Sequence, residues 1–554
     1  MKSQIETLIN SAVESYCKAH EVSKPEGFTY DLQPPKENLH GDLACNVAFK
    51  LAKVTHQKPM EIADEIMSFL GKNTGDDSAV QKIEIAGGAF LNFYLKKQSL
   101  GTILLEIHKQ NEDYGRSNKF GKGKKTVVEF VSANPTGPLT IAHGRQAAVG
   151  DALVRILKAT GHEVHAEYYL NDAGRQMNLL AQSVWARYNE LLGIEMALPE
   201  DGYQGEYIRD MAREIIEKEK KDSLLKDPEE KAIEYCGHYA VKTMMAWIEA
   251  DLAQMRVHFD HYFSEKSLYA KKSVEHALEV LKKKGYLFEK EGALWFRSTD
   301  FGDDKDRVVR KSTGEYTYLA PDIAYHLSKY ERGFNMMVNF WGPDHHGYIP
   351  RLKAACQALG YPSEAIHIGI VQLTTLYRNG QPVRMSTRAG EFVTLRELYQ
   401  EVGVDATRFF FVMRRQESPL DFDLDLAKAQ SQENPVYYLQ YAHARIASLL
   451  KFSGESVTSK VNFELLAAPE EAELIGCLSQ FPDILIQASR ALEPYRLVDY
   501  LRQVAACFHK FYSLHRVVSE DKALTKARLL LADATRIVLR NGLELLGIAQ
   551  PESM

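Results

Sequence analysis

Apolar residues recur at helical spacing over 46–52 and 59–70, whereas 80–85 and 89–95 read as strands around Gly87–Gly88. The opening of the chain therefore predicts helices followed by a pair of strands. A basic, glycine-punctuated stretch over 115–125 predicts a linker. Beyond it come an apolar strand over 126–131, a Pro/Gly loop, an alanine-rich helix starting around 141–143 and a second strand over 162–169. Strand, loop, helix, strand at this spacing predicts a parallel α/β unit. Residues 183–284 are charged and helical, which reads as a solvated insertion. Strand patterns return at 292–296 and 336–341, and after about Gln416 the remainder reads as almost entirely helical. Leu530, Ala534, Ile537 and Val538 share one face of a helix predicted to stop near Asn541–Gly542.

Composition narrows the class. At about 150 residues per domain, 554 residues make three or four domains. With 45% hydrophobic and 26% charged residues the chain sits at globular averages, which excludes wholesale disorder and fibrous architectures. Its 68 Lys+Arg against 74 Asp+Glu argue against a protein that coats nucleic acid, while leaving room for a compact RNA met by local basic patches. No apolar run approaches the ~18 residues that span a bilayer. Gln4 and Glu6 stand where a signal peptide has its apolar stretch, so a soluble, cytoplasmic protein is expected. The six scattered cysteines form no C-x-x-C pair, which predicts reduced, mostly buried thiols.

Four segments carry chemistry. In 129–151, small and hydroxyl residues leave the first strand and a helix begins, so free backbone N–H groups and a helix dipole face a crevice suited to an anion. His143 and Arg145, in the first turn, would add donors for phosphate. The basic turn Arg384-Met-Ser-Thr-Arg388 offers two permanently charged guanidinium groups. Asp322 follows Pro321 in the first turn of a helix whose buried face is Ile323, Ala324 and Leu327. Adjacent His345–His346 have no third ligand at useful spacing, so no metal site is expected there. Tyr437, Tyr438 and Tyr441 lie at helical spacing, fit either for core packing or for stacking unpaired bases.

Ser132-Ala-Asn134-Pro-Thr-Gly-Pro-Leu-Thr140-Ile-Ala142-His143-Gly144-Arg145 resembles the HIGH signature of class I aminoacyl-tRNA synthetases, in its arginyl-tRNA synthetase version. Thr140 stands where the family has its first histidine and Ala142 where it has a glycine; a hydroxyl still donates to phosphate but carries no charge. Arg384–Arg388 resembles the KMSKS loop, with Thr387 in place of the second lysine. The 434–448 helix, the 533–547 ending and the amino-terminal block extend the resemblance over nearly the whole chain, with the motifs in the family's order.

The resemblance implies an α/β fold: a parallel Rossmann-like catalytic core over 121–415 with a helical insertion near 183–284, an N-terminal α+β domain over 1–120 that meets the tRNA elbow, and an all-helical anticodon-binding domain over 416–554. It implies ATP-dependent activation of L-arginine to arginyl-adenylate and transfer to the terminal ribose of tRNA(Arg), in a cytoplasmic monomer, with adenylate formation requiring bound tRNA. Residue by residue, Thr140, His143, Arg384, Ser386 and Arg388 would serve catalysis; Glu129, Ser132, Asn134, Tyr318 and Asp322 would hold arginine. Thr140, His143, Gly144, Gly342, Asp344, His345 and Met385 would hold ATP, and Tyr438, Tyr441 and Met554 would meet tRNA. Magnesium would enter with ATP, without a metal or organic cofactor resident in the protein. Two other readings stay open: a relative that holds tRNA without activating arginine, and a small-molecule nucleotidyltransferase that uses the same phosphate grip without tRNA.

Overall fold

The computed structural model describes residues 2–25, 27–33, 41–71, 80–219, 222–383 and 393–554. Its central domain is built on five parallel strands: β1 (Lys125–Glu129), β2 (Glu163–Leu170), β3 (His261–Ser264), β4 (Met336–Trp341) and β5 (Ile366–Ile370). They lie in the order β5-β4-β1-β2-β3. Strand order reverses direction between β1 and β4, so a crevice opens beyond the carboxyl ends of those two strands. Thr126–Glu129 are buried on both faces, which is why β1 reads as a continuous apolar run.

Helix α1 (Ile141–Ala159) follows β1 and is buried along most of its length. Its small residues permit this: Gly150 lies so close to Phe130 that a Cβ there would overlap the ring. Helices α2 (Leu319–Glu331) and α3 (Ile349–Leu359) flank β4, and α4 (Leu395–Val402) and α5 (Val404–Val412) pack beside α1.

The amino-terminal part is a four-stranded antiparallel sheet covered by helices, among them Lys2–Ala19, whose Ile5, Ile9, Ala12, Val13 and Tyr16 form one fully buried stripe. The carboxyl-terminal part is helical, with α6 (Pro435–Ser453), α7 (Tyr495–Leu514) and α8 (Lys522–Leu545) packed on one another.

The structure corrects several sequence expectations. The first strand stops at Glu129 instead of 131, because Val131 (φ 68°) and Ser132 (φ 42°) turn through the left-handed region. A β-branched residue held there is strained, and it sits at the mouth of the crevice. The 183–284 stretch is not wholly helical: it supplies β3, the edge strand of the central sheet. Nor is it simply solvated, since Val184, Trp185, Tyr188, Ile208 and Met211 belong to a core of its own. Past Gln416, Leu420–Asp423 is a strand paired in parallel with Thr374–Arg378. Helix α8 runs through Asn541–Gly542 to Leu545; Gly542 is there because Leu501 packs against its backbone, not because the helix ends. The 115–125 linker is tightly held, with Ser117 and Gly121 N–H donating to the Ala159 and Thr160 carbonyls. Just before it, helix Lys97–Gln110 packs on α8, and Asn541 Nδ2 donates to the carbonyls of Asn111 and Tyr114.

Candidate active site

Thr140 is the N-cap of α1 and His143 closes its first turn. The Thr140 N–H donates to His143 Nδ1 at 3.2 Å, so the ring's proton is carried on Nε2. Burial pushes the His143 pKa down to about 4. At neutral pH His143 is therefore an uncharged donor beside the positive end of the helix dipole, not a cation. Thr140 also pairs with Thr394 as a β-bridge, and Leu395 N–H donates to Leu139 O at 2.8 Å. The described chain thus resumes, just after the basic turn, against the start of α1. Arg384, Met385, Ser386, Thr387 and Arg388 themselves lie outside the described residues.

Two residues of this helix turn away from the phosphate role expected of them. Arg145 is fully buried and donates to the carbonyls of Gln372 (2.9 Å) and Arg415 (3.0 Å), tying α1 to the strand region beside it. Gly144 is buried as well; a Cβ there would come within 2.5 Å of Leu395 and 3.0 Å of Phe411. Its missing side chain makes room for the contact with α4 and α5.

On the other side of the 130–140 loop lies an acidic pocket. Asp322, in the first turn of α2, accepts a hydrogen bond from the Tyr348 hydroxyl. Burial raises its pKa to about 7; Glu129 and Glu265 push it the same way, while the Tyr348 bond and Lys329 oppose them. Burial also raises Glu265, whose carboxylate meets the Tyr169 phenol. Glu129 is paired with the fully buried Lys329 (Oε2–Nζ 2.6 Å) and accepts from Ser132 Oγ at 3.4 Å. Ser132 Oγ in turn accepts from the Tyr169 N–H at 3.1 Å. The loop between the two sites is held from the insertion: Asn134 Nδ2 donates to Gln176 (2.6 Å), and Tyr207 donates to the Thr136 carbonyl (2.7 Å).

Tyr318, expected against the ligand, stands 85% exposed at the N-cap of α2; the phenol on Asp322 is that of Tyr348. Sequence reasoning also missed Glu265 and Lys329. A signal for Lys329 existed: it falls at i+7 from Asp322, on a face otherwise made of core residues.

Gly342, Asp344 and His345 leave the carboxyl end of β4, across the crevice from the end of β1. A side chain at Gly342 would meet no protein atom within 4 Å, and Asp344 and His345 are exposed, so this edge is open to a ligand. Elsewhere, ligand atoms of His165, Glu167 and His261 lie within 4.8 Å of one another. The Glu167 carboxylate is already held by Arg332 on both oxygens and by the Tyr325 hydroxyl, so the cluster is an ion-pair network, with a guanidinium where a cation would sit.

On the face of α6, the Tyr437 and Tyr441 rings are stacked (6.1 Å, 8°), His509 stacks on Tyr441 (6.1 Å, 16°) and touches Tyr438, and Arg445 lies over Tyr441 and Tyr512. Met554 is exposed.

Three family models match the chain in order: the arginyl tRNA synthetase N-terminal domain over 3–95, the class I (R) tRNA synthetase catalytic domain over 104–418 and the DALR anticodon-binding domain over 439–554. The chain belongs to the arginyl-tRNA synthetase family. A protein of Halalkalibacterium halodurans named arginine–tRNA ligase 1 is 46% identical over 558 residues, covering 100% of this chain and 99% of that one. An arginine–tRNA ligase of Syntrophotalea carbinolica is also 46% identical, covering 100% of both. The Thermus thermophilus arginyl-tRNA synthetase structure superposes with a TM-score of 0.78 over 100% of both chains at 22% identity, a likeness of fold. The parallel core, amino-terminal antiparallel sheet and helical carboxyl-terminal part are thus those of this synthetase family.

Proposed function

We propose that the chain charges tRNA(Arg) with L-arginine in two steps. The arginine carboxylate attacks the α-phosphorus of ATP, forming arginyl-adenylate and releasing pyrophosphate. A terminal ribose hydroxyl of tRNA then attacks the adenylate carbonyl, and AMP leaves. The observation that carries this reading is the pocket of Asp322, Glu129 and Glu265 at the switch point of the sheet. Its carboxylates outnumber its single ammonium, and a planar, permanently charged guanidinium completes it. Thr140, His143 and the start of α1 would align the phosphates with neutral donors and a helix dipole, leaving charge neutralisation to Arg384 and Arg388 and to magnesium arriving as MgATP. Gly342, Asp344, His345 and Met385 would border the adenosine. The buried thiols fit a reducing cytoplasm, and we place the reaction there, in a monomer.

Arginine-dependent pyrophosphate exchange, measured with and without tRNA, tests the reading. Exchange should appear with arginine and fall by about 10³-fold or more with the neutral isostere citrulline, whose urea leaves the carboxylate unpaired. Equal exchange with citrulline, or none with arginine in either condition, overturns it.

The pH profile should follow Asp322. Below about pH 7 its burial keeps it protonated. Guanidinium pairing needs the carboxylate, so arginine KM should rise as pH falls, about tenfold per unit below that point. His143 is already neutral throughout this range and should add no second limb.

We place the anticodon stem-loop against the α6 rings. Tyr441→Ala should raise tRNA KM about 5- to 100-fold, the worth of one stacked base, with arginine and ATP KM within about twofold of wild type. Unchanged tRNA KM in that variant and in Tyr438→Ala would remove this face from the interface.

A further inference from the structure

We propose that Lys329 is a positioning residue for the arginine pocket: fixed between Glu129 and Asn339, its ammonium keeps two ionised carboxylates, rather than one, facing the substrate. The inference rests on the arginine reading of the pocket and extends it to a group that never touches substrate.

Lys329 lies on α2 at i+7 from Asp322 and is fully buried. Its Nζ is 2.6 Å from Glu129 Oε2 and 3.3 Å from Asn339 Oδ1, and it lies 4.1 Å over the Tyr325 ring. Glu129 and Asn339 are register partners on β1 and β4, so the ammonium sits under the seam where the crevice opens. An ammonium without water needs an anion, and a carboxylate beside a second carboxylate needs a cation. Each group meets the other's need here.

The surroundings offer no substitute. From its own helix Asp322 is faced by Lys329, and its carbonyl is bonded to His326, which burial holds neutral (pKa about 3). It feels the charge of Glu129 on β1 and of Glu265 after β3, and in turn raises the phenols of Tyr269 and of Tyr169 on β2. Tyr348 and, on α3, the buried thiol of Cys356 complete the ring. Arg332, the next cation along α2, is committed to Glu167. Arg307 and Arg351 act on the Tyr348 phenol, and Lys329 is the cation that acts on Asp322 itself.

Adjacent carboxylates without a cation share a proton. Lys329→Met should therefore move the acid limb of the arginine KM profile upward by about one pH unit or more, raising KM at pH 7 by about tenfold or more. ATP KM should stay within about twofold, and kcat should approach wild type at high pH. Glu129→Gln should move the limb downward, and Glu129→Gln/Lys329→Met should bring it back toward wild type, since both the like charge and its counter-ion are gone. A merely structural lysine would lower activity at every pH and leave the limb in place, which overturns the inference. If Lys329→Met does not fold, the comparison of Glu129→Gln with the double variant decides: a higher limb in the double supports the role of the ammonium, coincident limbs refute it. Failure of the arginine reading shows separately, as wild-type enzyme without arginine-dependent exchange or calorimetric binding of arginine.

Discussion

Asp322→Asn should lower kcat/KM for arginine by about 10³-fold, with ATP and tRNA KM within about twofold of wild type. The amide keeps the shape of the side chain and can still accept the Tyr348 hydrogen bond, so the pocket should fold. What it loses is the negative charge aimed at a guanidinium in a site shielded from water. Removing one partner of a desolvated, hydrogen-bonded charge pair costs about 3–5 kcal/mol, and each 1.4 kcal/mol is tenfold. The variant should also lose the acid limb near pH 7, because the group that titrates there is gone. Steady-state exchange at several pH values and calorimetric titration of arginine check both statements. Arginine affinity equal to wild type would move the guanidinium to another carboxylate, with Glu265 the next to test.

The second large effect is on stability, at the junction of the central and carboxyl-terminal parts. Arg408 on α5 is fully buried; it donates to Asp151 of α1, to the Met255 carbonyl and, at 2.9 Å, to the Leu546 carbonyl just past α8. Gly547 lies directly against the guanidinium, which leaves no room for a Cβ. Around this hub Arg256 bonds the Gly547 carbonyl (2.8 Å) and Asp405, and Gln440 of α6 bonds Asp405 (2.8 Å). Arg408→Met should destabilise the chain by about 3–5 kcal/mol, because two buried carbonyls lose their donor and the Asp151 carboxylate is left with Arg155 as its one guanidinium partner. Asp151→Asn added to Arg408→Met should recover part of that loss, since the buried carboxylate that has lost one of its two cations is then replaced by a neutral amide. Urea unfolding of the wild type and the two variants measures it; a change under about 1 kcal/mol for Arg408→Met would show that water replaces the guanidinium.

Long helices and the order of the motifs were legible because their signals are local and repeated. The helix over 59–70, the start of α1 and the first-turn position of Asp322 all follow from spacing within about two turns. Short elements were not. The four residues of β3, at the edge of the sheet and inside a charged helical stretch, are too few to show a period. Gly542 carries the same letter as a helix stop, and only the packing of Leu501 tells the two uses apart. Gly144 and Arg145 show the same limit within the site. Sequence places them in the first turn, but which side of α1 faces the crevice is decided by α4, α5 and the carbonyls of Gln372 and Arg415.

By itself, the sequence determined the parts: a strand followed by a helix with free N–H groups, an aspartate opening another helix, a row of tyrosines, and the order in which they come. These are properties of a few consecutive residues, and helix and strand geometry translate them directly. Only the tertiary structure decided which charges share a pocket. Glu129 and Lys329 are 200 residues apart, and it is the packing of α2 over the paired ends of β1 and β4 that sets them side by side. Charges interact through space over a few ångströms, so their partners are chosen by packing and not by spacing along the chain.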